Sequence, residues 1–502
     1  MNTIDPSYEP REGSRDLTHR DADWSALRVV VAGLGISGFA AADALSERGA
    51  NVTAVSADAT PVIIERGRIL EILDVDVRLG PEHLRDLPEG AELVVTSPGL
   101  RPDHPMLRAA TAAGVPVWGE VELAWRMRAQ SGAAPWITVT GTNGKTTTVK
   151  MLASILQAAG LRATSAGNVG TPLLEAVLHP EPYDVLAVEL SSFQLHWQRS
   201  VRPVASACLN LAPDHIDWHG SLEQYRADKA KVYTGTEVAC VYNVQDPATQ
   251  QMVSDADVLE GCRAIGFTLS IPGLSMVGMV DDVLADRAFV EQRQTSAAEL
   301  ATLADLQRNS PSVPPHYVAN ALAAAALARA YGVGPLSVRD GLRAFVPDPH
   351  RIAEVATVEG VRFIDDSKAT NPHAAGASLV GFDHVVWIAG GLLKGADVDA
   401  LVQSVADRLR GVILIGTDRD QIAIALARHA PEVPVVNLPN TDTGVMDLVV
   451  ARAGDLARPG DVVLLAPAAA SMDMFADYGV RGDAFAEAVH RYASRSQGPA
   501  TP

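Results

Sequence analysis

Residues 136–147 read Trp136-Ile137-Thr138-Val139-Thr140-Gly141-Thr142-Asn143-Gly144-Lys145-Thr146-Thr147. A β-prone run leads into a glycine-containing loop. Val149, Leu152, Ala153 and Leu156 then recur at the i, i+3, i+4, i+7 spacing of a helix. Strand, glycine loop and helix in that order open a βαβ unit, so the stretch predicts a parallel α/β fold. Val139 stands where the first glycine of G-x-x-x-x-G-K-[ST] belongs, so the match is not literal. The mechanics are still those of a phosphate-binding loop. Backbone N–H groups and the helix N-terminus face the phosphates, Lys145 reaches the outer ones, and the Thr146 hydroxyl ligates Mg²⁺.

The same alternation continues upstream. The strand Arg28–Ala32 runs into Gly33-Leu34-Gly35-Ile36-Ser37-Gly38, a G-x-G-x-x-G turn opening a helix that Gly49 ends. Such glycines allow a tight turn and close approach of backbone to a pyrophosphate, in NAD or in a UDP-sugar alike. Thr96-Ser97-Pro98-Gly99 follows the apolar run 93–95, at a strand's carboxyl end, where open α/β sheets bind ligands. Residues 131–135 read as a linker and Pro347-Asp348-Pro349 as a second boundary. The chain thus divides into a flexible tail at 1–25 and blocks at 26–134, 135–348 and 349–502. Within the second block, 292–315 reads as a surface excursion before an Ala-rich helix at 317–331.

Downstream of the Lys145 loop, Glu189 ends the apolar run Val185–Glu189, placed either to hold Mg²⁺ or to sit in water. His215 follows another apolar run and could be a base, a metal ligand or neither. Lys229, on an amphipathic helix with Ser221 as N-cap, reads on its own as a solvated lysine. Arg351 could clamp a phosphate across domains or form an ion pair. In the third block, polar residues follow three strand-like runs: Asp366 to Asn371, Lys394 after Gly390-Gly391, and Ser471 with Tyr478 beyond it. Three polar strand ends in one block suggest a small-molecule crevice.

Composition narrows the classes. At roughly 150 residues per domain, 502 residues suggest about three domains, and 47% apolar residues supply their cores. The formal net charge of −19 argues against a nucleic-acid partner and against adhesion to an anionic membrane. No run approaches the roughly 18 apolar residues a spanning helix needs, and the N-terminus lacks a signal-like apolar core. Cys208, Cys240 and Cys262 have no metal-ligand spacing and favour a reducing, cytoplasmic setting.

Taken together, these segments resemble the Mur ligases, whose hallmark is the G-T-N-G-K-T loop found here at 141–146. Glu189-Leu-Ser-Ser-Phe-Gln, Asp214-His215, Asp366-Ser-Lys-Ala-Thr-Asn371 and Ser471-Met-Asp-Met-Phe475 with Arg481-Gly-Asp483 are similar to the members that add D-glutamate. The resemblance covers about residues 28–495. It implies an α/β fold of three domains: a Rossmann-like N-terminal domain for the UDP substrate, a central P-loop ATPase, and a Rossmann-like C-terminal domain for the amino acid. It implies an ATP-dependent ligase that joins D-glutamate to UDP-N-acetylmuramoyl-L-alanine, as a monomer, with ATP as co-substrate and two Mg²⁺ ions.

Residue by residue, the resemblance implies that Gly141, Thr142, Asn143, Gly144, Lys145, Thr146 and Thr147 bind ATP phosphates. Asn320 would approach the adenine, Arg351 the γ-phosphate and Asp366 the ribose. Thr146, Glu189, His215 and a carbamylated Lys229 would hold metal; Lys145, Lys229, His215, Glu189 and Arg351 form the catalytic set. Gly35, Ile36, Ser37, Gly38, Ser97, Pro98, Gly99 and Asn168 would serve the UDP substrate, and Thr370, Lys394, Ser471 and Tyr478 the D-glutamate. The runner-up readings are another Mur-type ligase, a folylpolyglutamate synthetase, a nicotinamide-dependent dehydrogenase and a P-loop nucleotide switch. The dehydrogenase leaves the Lys145 loop unexplained, and the switch leaves the third block without work.

Overall fold

Parallel strands buried on both faces need near-continuous apolar sequence, and three groups of such strands build three sheets. The computed structural model describes residues 16–307, 313–439 and 443–496. In the first sheet the spatial order is Asp76–Leu79, Asn51–Ser56, Arg28–Ala32, Leu93–Thr96, Val117–Gly119, all parallel. The chain first winds outward from Arg28–Ala32 and then returns to its other side. The loops after Arg28–Ala32 and Leu93–Thr96 therefore leave a topological switch point, where doubly wound sheets form crevices.

The central sheet has nine strands, in the order Ala298–Thr302, Val283–Asp286, Met276–Val280, Arg263–Phe267, Ala239–Asn243, Ala205–Cys208, Trp136–Thr140, Val185–Glu189, Ala163–Gly167. Only the pairings that involve Val283–Asp286 are antiparallel. Trp136–Thr140 lies between Ala205–Cys208 and Val185–Glu189. The loop 141–144, Glu189 and the segment bearing His215 thus emerge together at the strands' carboxyl ends. The helix Lys145–Ala158 follows the loop, and most of the Ala-rich helix Pro315–Ala330 is buried in the same core. The third sheet runs Ala353–Val358, Val361–Asp365, Val462–Leu465, Val385–Gly390, Leu409–Ile415, Val435–Asn437, with only its first pair antiparallel. Among the described residues no helix is long and apolar enough to cross a membrane.

Two expectations need correction. Residues 16–25 are not a flexible tail. Leu17 and Trp24 are buried, Trp24 packs edge-on to Trp118 at 6.5 Å, and its indole N–H donates to the His19 carbonyl at 3.1 Å. Burying that indole outweighs the polarity of its neighbours; residues 1–15 lie outside the described residues. Likewise 292–315 is not a mere surface excursion. Ala298–Thr302 closes the edge of the central sheet, and Leu300, Ala301 and Leu306 enter its core; residues 308–312 lie outside the described residues.

Candidate active site

The loop 141–144 is shaped by its glycines and fixed by its neighbours. Gly144 has φ +84°, and a Cβ there would meet Asn320 Oδ1 at 2.4 Å. Asn143 N–H donates to Asn210 Oδ1 at 2.9 Å, and the Thr142 hydroxyl lies 3.0 Å from that of Tyr225. Lys145 folds back over the loop, its Nζ donating to the carbonyls of Gly141 at 2.8 Å and Thr142 at 2.9 Å. Burial lowers the Lys145 pKa, while Glu189 and Asp214 work in the other direction. Beside the loop a cleft of about 1240 Å³ opens between the second and third blocks, bordered by Lys145, Asn320, Arg351 and Asp366.

Lys229 is not solvated. It is 2% exposed, and its Nζ donates to the Gly141 carbonyl at 2.8 Å. The helix Leu222–Ala230 packs this face onto the phosphate loop, a long-range contact that amphipathic spacing does not reveal. Burial first, then the neighbouring Lys145, pulls the Lys229 amine down to about 7. Glu189 is buried; its Oε1 accepts from Asn168 Nδ2 at 2.8 Å, whereas Oε2 has no partner among the described residues. His215 takes a left-handed backbone (φ 52°) and rests edge-on against Phe193 at 4.8 Å. Burial lowers its pKa and so favours the neutral imidazole that ligates metals.

The residues fit a hard divalent cation. An orphaned buried carboxylate oxygen at Glu189 calls for a cation, and Thr146, also buried, begins the neighbouring helix. Among the described residues no three His, Cys, Asp or Glu side chains cluster as a metal cage. Mg²⁺ does not need one, because it binds through one or two carboxylates plus phosphate oxygens and water.

The third block meets the loop directly. Asn371 Nδ2 donates to Asn143 Oδ1 at 3.1 Å, and His373 Nδ1 lies 2.9 Å from Asn143 Nδ2. Asp366 is buried, and burial raises it to about 7 although the Ser378 hydroxyl donates to it. Arg351 borders the cleft, its Nε 3.9 Å from Asp348. Lys368 and His373, not singled out from sequence, also line it. Burial, with Arg351 second, pulls Lys368 down to about 8. The signal for Lys368 was its place inside Asp366-Ser-Lys-Ala; His373 gave none beyond following Pro372. Thr370 and Tyr478 border this cleft, while Lys394, exposed, and Ser471, buried, do not. Lys394 does come within electrostatic reach of His215.

In the first block, Ser97 Oγ donates to the Gly33 carbonyl at 3.1 Å, joining the two loops at the switch point. Gly38 is obligatory there, since a Cβ would fall 1.8 Å from the Gly33 oxygen. Gly35 and Gly99 face open space, and Ile36 is exposed. Buried Glu120, whose pKa burial raises while a hydrogen bond with Ser37 works in the other direction, accepts from Leu173 N–H at 3.0 Å and so ties this block to the second. Asn168, expected to serve the UDP substrate, borders the central cleft beside Glu189.

Comparison with known proteins gives consistent matches along the chain. Residues 27–119 match the Mur ligase MurD-like N-terminal domain, 139–328 the Mur ligase middle domain, and 350–469 the Mur ligase glutamate ligase domain. UDP-N-acetylmuramoylalanine--D-glutamate ligase of Streptomyces avermitilis is 61% identical over 467 residues, covering 93% of this chain and 98% of the relative. The protein of the same name from Thermobifida fusca is 56% identical, again covering 93% of this chain and 98% of the relative. Among solved structures, UDP-N-acetylmuramate-alanine ligase from Thermotoga maritima aligns with TM-score 0.53 at 19% identity, over 93% of this chain and 99% of that one, a likeness of fold. The chain belongs to the Mur ligase family, in the branch whose curated members are named UDP-N-acetylmuramoylalanine--D-glutamate ligase.

Proposed function

We propose that this protein is an ATP-dependent ligase that joins D-glutamate to UDP-N-acetylmuramoyl-L-alanine, working as a cytoplasmic monomer in the synthesis of the peptidoglycan precursor. The observation that carries the reading is the contact of the phosphate loop with the third block across one cleft, Asn143 to Asn371. A phosphoryl donor on the second block and an amine acceptor on the third can meet there.

A carboxylate and an amine do not condense unaided in water. The alanyl carboxylate of the UDP substrate, held at the 33–38 and 97–99 loops with Asn168 nearer the phosphates, attacks the γ-phosphorus of ATP. ADP leaves and an acyl phosphate forms. Lys145 and Arg351 neutralise the negative charge that shifts over the phosphate oxygens during transfer, with Asn320 and Asp366 placing the nucleoside. The unprotonated D-glutamate amine, its carboxylates held by Thr370, Lys394, Ser471 and Tyr478, adds to the acyl carbon. Collapse of the tetrahedral adduct expels phosphate, releases one proton and leaves an amide. Closure of Lys394 and Ser471 onto the cleft excludes water from the acyl phosphate.

Mg²⁺, held by Thr146, Glu189, His215 and Lys229, two ions in the full site, neutralises phosphate charge when bound. Lys229 suits that set as a carbamate: its neutral amine adds CO₂, losing one proton, and the buried ammonium becomes a carboxylate-like anion. Phosphate release from ATP with UDP-N-acetylmuramoyl-L-alanine, measured with and without D-glutamate, tests the reading. Turnover that depends on D-glutamate supports it; turnover indifferent to D-glutamate, or none, refutes it.

A further inference from the structure

The helix Leu222–Ala230 sends two consecutive side chains to two different places. Lys229 reaches the phosphate loop. Asp228 turns instead into a buried nest of donors and is itself fully buried. Its Oδ2 accepts from Nδ1 of both His196 and His219, each at 2.9 Å. Its Oδ1 accepts from Lys231 Nζ at 2.9 Å and from Gln224 Nε2 at 3.3 Å. Burial alone would raise this carboxyl, but the bonds from His196 and His219, together with the Lys231 charge, bring it below the usual carboxylate range.

The contacts continue beyond the imidazole. His219 Nε2 lies 2.9 Å from Ser192 Oγ. Because Nδ1 carries the proton given to Asp228, a neutral His219 accepts from the Ser192 hydroxyl at Nε2. Phe193 stacks on His219 at 5.5 Å and packs edge-on to His215 at 4.8 Å. One carboxylate thus joins three short segments: Ser192–His196, just after Glu189; Ile216–His219, just after His215; and the helix that bears Lys229. Two of these segments directly follow Glu189 and His215 and the third carries Lys229, and none of the joining residues touches the cleft.

We propose that Asp228 is a positioning residue that sets the spacing of Glu189, His215 and Lys229, acting through His219 and Ser192; this rests on the role given to those three residues above. Losing a group that orients a ligand from behind typically costs roughly 10- to 100-fold in metal affinity or activity. A side chain that can only accept is required here, because two imidazole N–H groups, an ammonium and an amide N–H converge on it.

Asp228→Asn tests this in the full chain, since it keeps size and shape while opposing N–H donors with an amide NH₂. Three quantities are measured: the unfolding midpoint, kcat with KM for ATP and D-glutamate, and the ¹³C resonance of a lysine carbamate in metal-free protein equilibrated with ¹³C-bicarbonate. Loss of that resonance in Lys229→Ala assigns it. The proposal expects a folded variant whose kcat falls roughly 10- to 100-fold, with KM for D-glutamate within about twofold and a weaker carbamate resonance. Ser192→Ala, which removes one hydrogen-bonding oxygen, is expected to lower kcat roughly three- to tenfold.

A folded Asp228→Asn with wild-type kcat and carbamate overturns the proposal, as does a loss of kcat that only tracks the unfolded fraction. If Asp228→Asn does not fold, Ser192→Ala decides, and wild-type kcat there overturns it. A wild-type protein without D-glutamate-dependent turnover refutes the functional reading instead. A wild-type protein without a carbamate resonance refutes the Lys229 assignment, and the kcat comparison still decides the role of Asp228.

Discussion

Lys145 and Lys229 share one acceptor: each places its Nζ 2.8 Å from the carbonyl oxygen of Gly141. Two ammonium groups at one buried oxygen repel each other, and burial penalises both charges. The structure resolves the conflict unequally. Lys229 is pulled down to about 7, so that about half of it is neutral near pH 7 and able to add CO₂. Once it is a carbamate, the repulsion becomes an attraction, and Lys145 gains an anionic neighbour.

Replacing Lys229 tests that exchange. Lys229→Ala should lower D-glutamate-dependent turnover by about 100-fold or more, with partial recovery in added short-chain carboxylic acids. Lys229→Arg should be no better, because a guanidinium neither loses its charge nor adds CO₂. Initial rates with and without acetate check both outcomes.

The shifted amine also sets a pH dependence. Below about pH 7 the folded and unfolded chains both hold the Lys229 proton, and the full cost of burying the charge is present. Between about 7 and the ordinary value of 10.5 only the unfolded chain holds it, so stability rises with pH through that window. In CO₂-free buffer the urea midpoint of the wild type should rise from about pH 7 to 9 relative to Lys229→Met. Carbamate occupancy at fixed dissolved CO₂ should, while low, fall about a hundredfold per unit below pH 7, because adding CO₂ to the ammonium form releases two protons.

Gly144→Ala should damage both fold and nucleotide use. An L side chain at φ +84° costs about 1–2 kcal/mol, and its Cβ would meet Asn320 Oδ1 at 2.4 Å. Denaturant unfolding should show the loss, and the KM for ATP should rise as Asn320 is displaced.

Trp24→Ala should destabilise the first block by about 3–5 kcal/mol, the usual cost of removing a buried tryptophan. A substitution in a flexible tail would leave the unfolding midpoint unchanged, so thermal unfolding of this variant checks the packing against Trp118.

Much of the fold was legible because local signals agreed with global ones. The strands Arg28–Ala32 and Trp136–Thr140 and the helix after Lys145 fall where apolar runs and glycines place them. The site was legible only where chemistry and local motif coincide, as at Lys145 and Glu189. Lys229 reads as a surface lysine because its burial depends on a loop 88 residues earlier in the chain. Trp24 was hidden for a similar reason: a polar segment is ordered by one indole docking on a distant strand. The joining of Asn143 to Asn371 and His373 is a contact between blocks, which periodicity does not encode.

The acyl phosphate is the centre of the proposed chemistry, and oxygen transfer tests it most directly. UDP-N-acetylmuramoyl-L-alanine labelled with ¹⁸O in its alanyl carboxylate is turned over with ATP and D-glutamate, and the released phosphate is analysed by mass. Attack by that carboxylate on the γ-phosphorus, followed by displacement of phosphate by the amine, predicts one ¹⁸O atom in each phosphate formed from doubly labelled substrate. Unlabelled phosphate, released in step with ligation, would contradict the account.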